Sequence, residues 1–272
     1  MPTGSEIPLF QVDAFTATPF AGNPAAVCVL EKALSPEEML KIAAEMNLSE
    51  TAFVEPPTSD GVRGLRWFTP AVEVPLCGHA TLATSHVLLR ELAEKPPLRF
   101  RTVSGILTVN EDPDGWLRMD FPADPPAPAQ APSGLLEALG CPPGSPTSRG
   151  VKLWIVRLSS EEAIRALDPD MTALGKVRLG DTPLGVSVTA PGTGETDFVS
   201  RFFGPWVGVN EDPVTGMAHT VLGPYWMEEL GVSRLTARQV SARGGSIRVG
   251  REGDRILVSG QAVTVVRGTL SI

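Results

Sequence analysis

The chain has 272 residues, 42% of them hydrophobic and 20% charged, the profile of a globular chain of one large or two medium domains. A net charge of −8, with no basic run to neutralise phosphates, argues against a nucleic-acid partner. Three scattered cysteines, Cys28, Cys77 and Cys141, make neither a disulfide framework nor a CxxC metal site and fit a reducing, cytosolic setting. The first six residues show no secretory pattern, and no apolar run reaches the length of a membrane span.

Residues 8–15 alternate as a strand, with Phe10, Val12 and Ala14 on one face. The turn Pro19 to Pro24 follows, and Ala25 to Leu30 reads as a buried strand. The clearest helix start comes next. Ser35 is a natural N-cap, Pro36 suits the first helical position, Glu38 completes a capping box, and Leu34 with Met39 can form the hydrophobic staple. Met39, Ile42, Ala43 and Met46 give that helix one buried face, ending near Asn47. A strand from Glu50 to Glu55 follows, then another from Val62 to Phe68. After the loop Glu73 to Gly78, a nearly all-apolar and therefore buried helix runs to Leu92. Short strands are expected over 98–103, 105–110 and 116–121.

Residues 122–146 hold eight prolines and read as a linker or crossover between halves. Beyond it, strands are expected over 152–158, 184–190 and 197–203, with a short helix over 160–167. A second apolar helix reaches about Leu230 and is kinked by Pro224. Two or three strands over 238–250 and 254–267 close the chain.

The two halves share a pattern. Arg66-Trp67-Phe68-Thr69-Pro70 matches Arg201-Phe202-Phe203-Gly204-Pro205, and Glu73-x-Pro75-x-x-Gly78-x-Ala80 matches Glu211-x-Pro213-x-x-Gly216-x-Ala218 after a three-residue insertion. A duplicated unit explains these aligned positions better than ordinary αβ similarity. Halves that face each other would point two helix N-termini into one cleft, whose free N–H groups and dipoles suit a carboxylate or an enolate-like charge. Gly78 and Gly216 would let a ligand approach the backbone, and His79 and Asp212 would lie at the rims.

Glu50 stands at a helix–strand joint beside Leu48 and Phe53-Val54. Such surroundings can raise a carboxyl pKa and suit a general acid or base; the alternative is that Glu50 caps a surface turn. His79 is either a site residue or a buried structural histidine, and Asp212 either a site residue or a helix-capping acid. His86 reads as a packed core residue, and His219, a turn into the second helix, is ambiguous. Three histidines make no conventional metal cluster, so a metal-free site is the simpler reading. Cys77 invites a thiol racemase, but the matching loop offers Thr215 and Met217 in place of a second thiol. No GxGxxG after a strand, Walker loop or GxSxG elbow is present.

Val12-Asp13-Ala14-Phe15-Thr16, Phe20-x-Gly22-Asn23-Pro24-Ala25-Ala26-Val27, Met46 to Phe53, Arg66 to Pro70, Cys77-Gly78-His79-Ala80-Thr81 and Glu211 to Gly216 run through nearly the whole chain. With these motifs the chain resembles the phenazine-biosynthesis-like (PhzF-like) isomerases, relatives of diaminopimelate epimerase, and looks closest to the eukaryotic phenazine biosynthesis-like domain-containing branch. The resemblance implies an α+β fold of two pseudo-symmetric halves, each a mixed sheet around a central helix. They would span residues 1–121, completed by a last strand near 262–272, and 122–261. It implies a cofactor-independent isomerase and commonly a homodimer, in which Glu50 moves a proton on a small carboxylate and His79 and Asp212 assist. Asn23, Gly78, Ala80, Gly216 and Met217 would bind substrate, the helix-end amides holding its carboxylate. The family usually has Ser where this chain has Met217, which leaves the substrate open. The rival is a binding or scaffold protein that keeps the fold without turnover.

Overall fold

The computed structural model describes residues 6–272; residues 1–5, most of the segment read above as lacking a secretory pattern, lie outside it. The chain divides into two compact units, one running to Asp120 and taking back Ser259–Ile272, the other Phe121–Val258. Among the described residues no helix is long and apolar enough to cross a membrane.

The first unit carries strands β1 (Glu6–Ala14), β2 (Asn23–Val29), β3 (Glu50–Pro57), β4 (Val62–Phe68), β5 (Glu73–Val74), β6 (Leu98–Thr102), β7 (Gly105–Glu111) and β8 (Leu117–Pro122), with the C-terminal strand Ala262–Ser271. β1 pairs antiparallel with both that last strand and β2, and β2 runs parallel to β3. β3 is antiparallel to β4, and β4 pairs antiparallel with β5 and parallel with β6. A parallel pair needs a crossover, and helix α1 (Pro36–Met46) supplies the one between β2 and β3.

α1 starts where its residues dictate. The Ser35 hydroxyl accepts from the Glu38 N–H while Glu38 accepts from the Ser35 N–H, the full capping box. It stops at Asn47, whose left-handed φ of 50° is a conformation asparagine tolerates better than most residues. Met39, Ile42 and Ala43 pack on Phe53 and Phe68, whose rings meet edge to face at 5.7 Å, with Leu34 beside them.

Helix α2 (Gly78–His86) is buried from His79 to Ser85 and continues into a π-helical turn, Val87–Glu91. Its hydroxyls do not break the rule that buried polar groups need partners. Thr81, Thr84 and Ser85 donate to the carbonyls of Cys77, Ala80 and Thr81, one turn back, at 2.7–2.8 Å.

The second unit repeats the plan with β9 (Ala127–Pro128), β10 (Thr147–Arg149), β11 (Leu153–Arg157), β12 (Gly185–Pro191), β13 (Phe198–Gly204), β14 (Val209–Asp212), β15 (Arg234–Gln239), β16 (Gly245–Glu252) and β17 (Arg255–Gly260). β11 runs parallel to β12, β12 antiparallel to β13, and β13 antiparallel to β14 and parallel to β15. This is the order and sense of β2 through β6. The salt bridges repeat too. Arg66 grips Glu73 with both nitrogens at 2.7 Å and lies 5.2 Å over Phe68; Arg201 grips Glu211 at 2.7 and 2.9 Å and lies 5.0 Å over Phe203.

Three expectations are corrected. The proline-rich stretch 122–146 is no linker: it carries α3 (Leu135–Leu139), and Leu135, Ala138, Leu139 and Cys141 pack in the second core with Trp154, Val186 and Phe203. The closing region holds four strands, because β15 and β16 form one hairpin and β17 and the last strand follow it. The second long helix, α6, opens at His219, which therefore does not lie a turn inside it; after the short helices α4 (Glu161–Arg165) and α5 (Met171–Leu174), it spans His219–Leu230. Pro224 lies inside α6, and the Thr220 carbonyl that its missing N–H would have bonded accepts instead from the Asp124 N–H at 3.0 Å.

Candidate active site

Glu50 opens β3 and sits in register with Ala25 of the parallel β2. The left-handed cap at Asn47 turns the chain out of α1 just before it, so the helix end fixes where the carboxylate emerges. The side chain is 17% exposed and its Oε2 lies 3.2 Å from Nε2 of His79, itself only 7% exposed. Cys77, the N-cap residue of α2, places its Sγ 3.5 Å from Nδ1 of the same imidazole. Asn23, the first residue of β2, completes the ring's surroundings, with Nδ2 3.3 Å from Nδ1.

Burial and pairing pull against each other here. Burial pushes the Glu50 carboxyl up, but the positive charge of His79 beside it, with the polar Cys77 near by, outweighs it and holds the group below the ordinary 4.5. The sequence expectation of a raised value is thus overturned, because a lone carboxylate among apolar residues turns out to have a buried counter-ion. Burial likewise pushes His79 down, yet the facing charges of Cys77 and Glu50 lift it well above 6.5. Since burial itself raises the Cys77 thiol and keeps it protonated, Glu50 is the charge that sustains the imidazolium. One carboxylate oxygen, one sulfur and one imidazole nitrogen from Glu50, Cys77 and His79 lie within 4.8 Å of one another. Those donor types can accept a transition metal, although in this structure they pair with each other.

The second unit places its candidates in a different network. Asp212 ends β14 opposite Phe202, and its Oδ2 accepts from the Thr215 hydroxyl at 2.6 Å. Gln239 locks the loop: its Oε1 accepts from the Thr215 N–H at 2.9 Å and its Nε2 donates to the Asp212 carbonyl at 2.7 Å. Asp212 is not the cap of α6, whose N-cap residue Ala218 makes no side-chain bond. Gly216, Met217 and Ala218 form a turn before the helix, with the His219 N–H on the Gly216 carbonyl at 3.1 Å. His219 is wholly buried, bonds the Thr215 carbonyl through Nδ1 at 2.9 Å, and is pushed down to about 4 by burial, so it is a neutral structural group. His86 is half-buried, bonded to Thr264 at 3.1 Å and also lowered to about 4 by burial.

The sequence repeat aligns Gly78 with Gly216, hence Cys77 with Thr215, His79 with Met217 and Thr81 with His219. The bonds agree: Thr81 caps the Cys77 carbonyl as His219 caps that of Thr215. Thr51 faces Phe68 as Val186 faces Phe203, so the counterpart of Glu50 is Gly185. A Cβ there would lie 2.6 Å from the Phe203 carbonyl oxygen. Sequence reasoning put Asn23 among substrate contacts and missed it as a neighbour of His79. It also missed Gln239, which nothing in its own segment signals; the parallel pairing of Ser200 with Gln239 brings it to Thr215.

A family model described as phenazine biosynthesis-like protein matches residues 12–268. The chain is 51% identical over 269 residues, 98% of its length and all of the relative's, to a Pseudomonas aeruginosa protein named an uncharacterized isomerase. It is 43% identical to the mouse phenazine biosynthesis-like domain-containing protein 2, over 98% of this chain and 99% of that one. The kinship with the eukaryotic branch is therefore present, with higher identity to the bacterial relative. Among solved structures, a PhzF-family phenazine biosynthesis protein from Enterococcus faecalis superposes with a TM-score of 0.91 at 39% identity, covering 98% of this chain and all of that one. The chain belongs to the phenazine biosynthesis-like protein family.

Proposed function

We propose that the protein is an isomerase that moves a proton on a small carboxylate substrate by general acid/base catalysis. The observation that carries this reading is the Glu50–His79 pair, 3.2 Å apart, with Glu50 17% exposed and His79 behind it. An ionised carboxylate can take a proton from carbon only if it is unprotonated at working pH, and the imidazolium keeps it so. The same positive charge opposes the negative charge that develops on a substrate as its C–H proton leaves. After the transfer Glu50 is a neutral acid that can return the proton at a different carbon, which is isomerisation with no net change in atoms or charge.

Asn23, Gly78 and Ala80 in the first unit and Gly216 and Met217 in the second are the proposed substrate contacts. Asp212, held by Thr215 and Gln239, is the proposed assisting acid. That the reaction needs no cofactor, and that the protein is a cytosolic homodimer, are parts of the same reading; light scattering after gel filtration tests the dimer. Relatives named as isomerases support the reaction class. The test is proton exchange in deuterated water across a panel of small cyclic and unsaturated carboxylates. Exchange in the parent that is lost in Glu50→Gln and slowed in His79→Asn and Asp212→Asn supports the reading. Equal exchange in parent and Glu50→Gln removes Glu50 from the chemistry.

A further inference from the structure

Buried polar atoms keep hydrogen-bond partners, so an orphan among them needs a physical reason. In the second unit Ser187 Oγ, Ser200 Oγ and His219 Nε2 are buried and bond to no atom of the described residues. They share one place in the fold. On β13, Phe198 and Ser200 point to the same side, since side chains repeat every two residues along a strand. Phe198 lies against the His219 ring, centroids 5.8 Å apart. Ser200 also pairs with Gln239 of β15, whose amide oxygen accepts from the Thr215 N–H at 2.9 Å. The Thr215 carbonyl in turn meets His219 Nδ1 at 2.9 Å. Ser200 is thus tied to His219 from two sides. Its partner on β12 is Thr189, and Ser187 stands two residues earlier on the same face. A carbonyl can only accept, so Nδ1 carries the ring proton; burial keeps the ring neutral, and Nε2 is left a bare acceptor.

The repeat makes the three atoms a set. Their equivalents in the first half are Ala52, Leu65 and Thr81. Two of those are apolar, and the third spends its hydroxyl on the Cys77 carbonyl. The second half holds a further polar atom at each of the three positions. A neighbouring difference of the same kind, Thr189 for Val54, is answered within the protein: Trp226 Nε1 donates to Thr189 Oγ1 at 2.9 Å. The other three have no such answer, and a serine where the first half has a leucine leaves room beside the ring.

We propose that Ser187, Ser200 and His219 seat one buried water molecule, which fixes the His219 ring and, through the Thr215 carbonyl, the loop that carries Asp212. The water donates one hydrogen to Nε2 and the other to one serine oxygen, and it accepts from the second serine hydroxyl. Three bonds to otherwise orphaned groups are the usual complement of an internal water. Ser187, Ser200 and His219 are positioning residues. They act on Asp212 through Thr215, whose hydroxyl donates to Asp212 Oδ2 at 2.6 Å and whose N–H is held by Gln239.

The water seat deepens the acid/base reading and rests on it for its purpose, but the water is detectable without substrate. A long-lived internal water passes magnetisation to ring protons beside it. Water-selective NMR of histidine-labelled protein should therefore show a cross-peak to the His219 ring, assigned with His219→Asn, and Ser200→Leu should abolish it. A crystal structure should place the oxygen within hydrogen-bond distance of Nε2 and Ser200 Oγ. No cross-peak in the parent and a dry site in the crystal overturn the seat. The triple variant Ser187→Ala, Ser200→Leu, His219→Thr gives the site the first half's residues, and its threonine can bond the Thr215 carbonyl as Thr81 bonds that of Cys77. Because the orphaned atoms leave together, its Tm should equal or exceed the parent's. Its kcat for substrate proton exchange should nevertheless fall about tenfold or more, as for a displaced catalytic group. KM should stay within about twofold, and restoring Ser200 and His219 should recover the rate. Ser200→Ala, a milder change, is read in the same way if the triple variant does not fold. Parent kcat in these variants overturns the positioning role. A parent that exchanges no substrate proton sinks the acid/base reading, while the NMR and the crystal still decide the water.

Discussion

Replacing Glu50 by Gln removes the counter-charge of a buried imidazole and leaves its shape nearly unchanged. At 3.2 Å, Coulomb's law with an effective dielectric of about 20 gives roughly 5 kcal/mol of gross attraction. Desolvation consumes much of that, and facing charges move a pKa by about 1–3 units, or about 1.4–4 kcal/mol. In the parent, His79 titrates above 6.5 when folded, so its contribution is fully present below the unfolded value and is lost as pH rises through the folded one. Glu50 titrates below 4.5, so its contribution is present above that value and lost as pH falls through the folded one. In Glu50→Gln the facing carboxylate is gone and burial, the largest influence on the ring, outweighs the protonated Cys77 thiol, so its folded pKa drops and the sign reverses: acid now destabilises. Urea unfolding of both proteins at about pH 5 and about pH 8 measures this, and the variant should lose about 1.4–4 kcal/mol more than the parent on going to the lower pH. Parallel pH profiles would show that His79 carries no charge supported by Glu50, and would sink both the pairing and the base assigned to it.

The duplicated arginines should not be equal. Arg66 has 28% of its side chain exposed and bonds Glu73, so Arg66→Leu should cost about 1 kcal/mol. Arg201, 13% exposed, bonds Glu211 and also the carbonyls of Ile164 and Leu167, so Arg201→Leu should cost about 2–3 kcal/mol. Calorimetry would show the difference as a larger drop in Tm, at about 2–4 °C per kcal/mol in a chain of this class. Gly260→Ala puts a Cβ 2.4 Å from the Phe15 ring and 2.8 Å from Leu82, an overpacking worth about 1–3 kcal/mol that thermal unfolding should register. Metal analysis of protein purified without chelators should find no stoichiometric zinc; a tightly held equivalent, lost in Cys77→Ala, would replace the metal-free reading.

What the sequence made legible was what neighbours in the chain decide. Ser35, Pro36 and Glu38 announce α1 because a capping box is closed within four residues, and Asn47 ends it by tolerating a left-handed turn. The pairing of halves was legible because Arg66–Glu73 and Arg201–Glu211 recur with their rings and prolines. Contacts between distant segments were not. β5 and β14, of two and four residues, exist only because β4 and β13 offer them an edge, so no internal periodicity marks them. The direction of the Glu50 shift depends on His79, which local reasoning about apolar neighbours omits. The proline count in 122–146 misled because prolines break helices and ladders without preventing burial, and the leucines between them pack.

The repeat also bears on why the proposed acid/base pair stands in one half alone. Had both halves kept a carboxylate at the start of the equivalent strand, two like charges would need separate counter-ions. In the second half the position is Gly185, and the Phe203 carbonyl and the Phe202 ring lie within 2.6 Å of where a side chain would begin. The partner position has changed in step. Where the first half has His79 to pair with an acid, the second has Met217, which can neither hold a proton nor answer a charge. Losing the acid alone would have left a buried imidazole with nothing to sustain its charge, and losing the imidazole alone a half-buried carboxylate; losing both costs neither desolvation penalty. What the second half retains is polar but differently placed, Asp212 and Thr215 locked by Gln239, where the first half has Val74 and Cys77. The two halves thus share one frame, and the buried-charge rule lets each hold buried acids only where it also holds their partners.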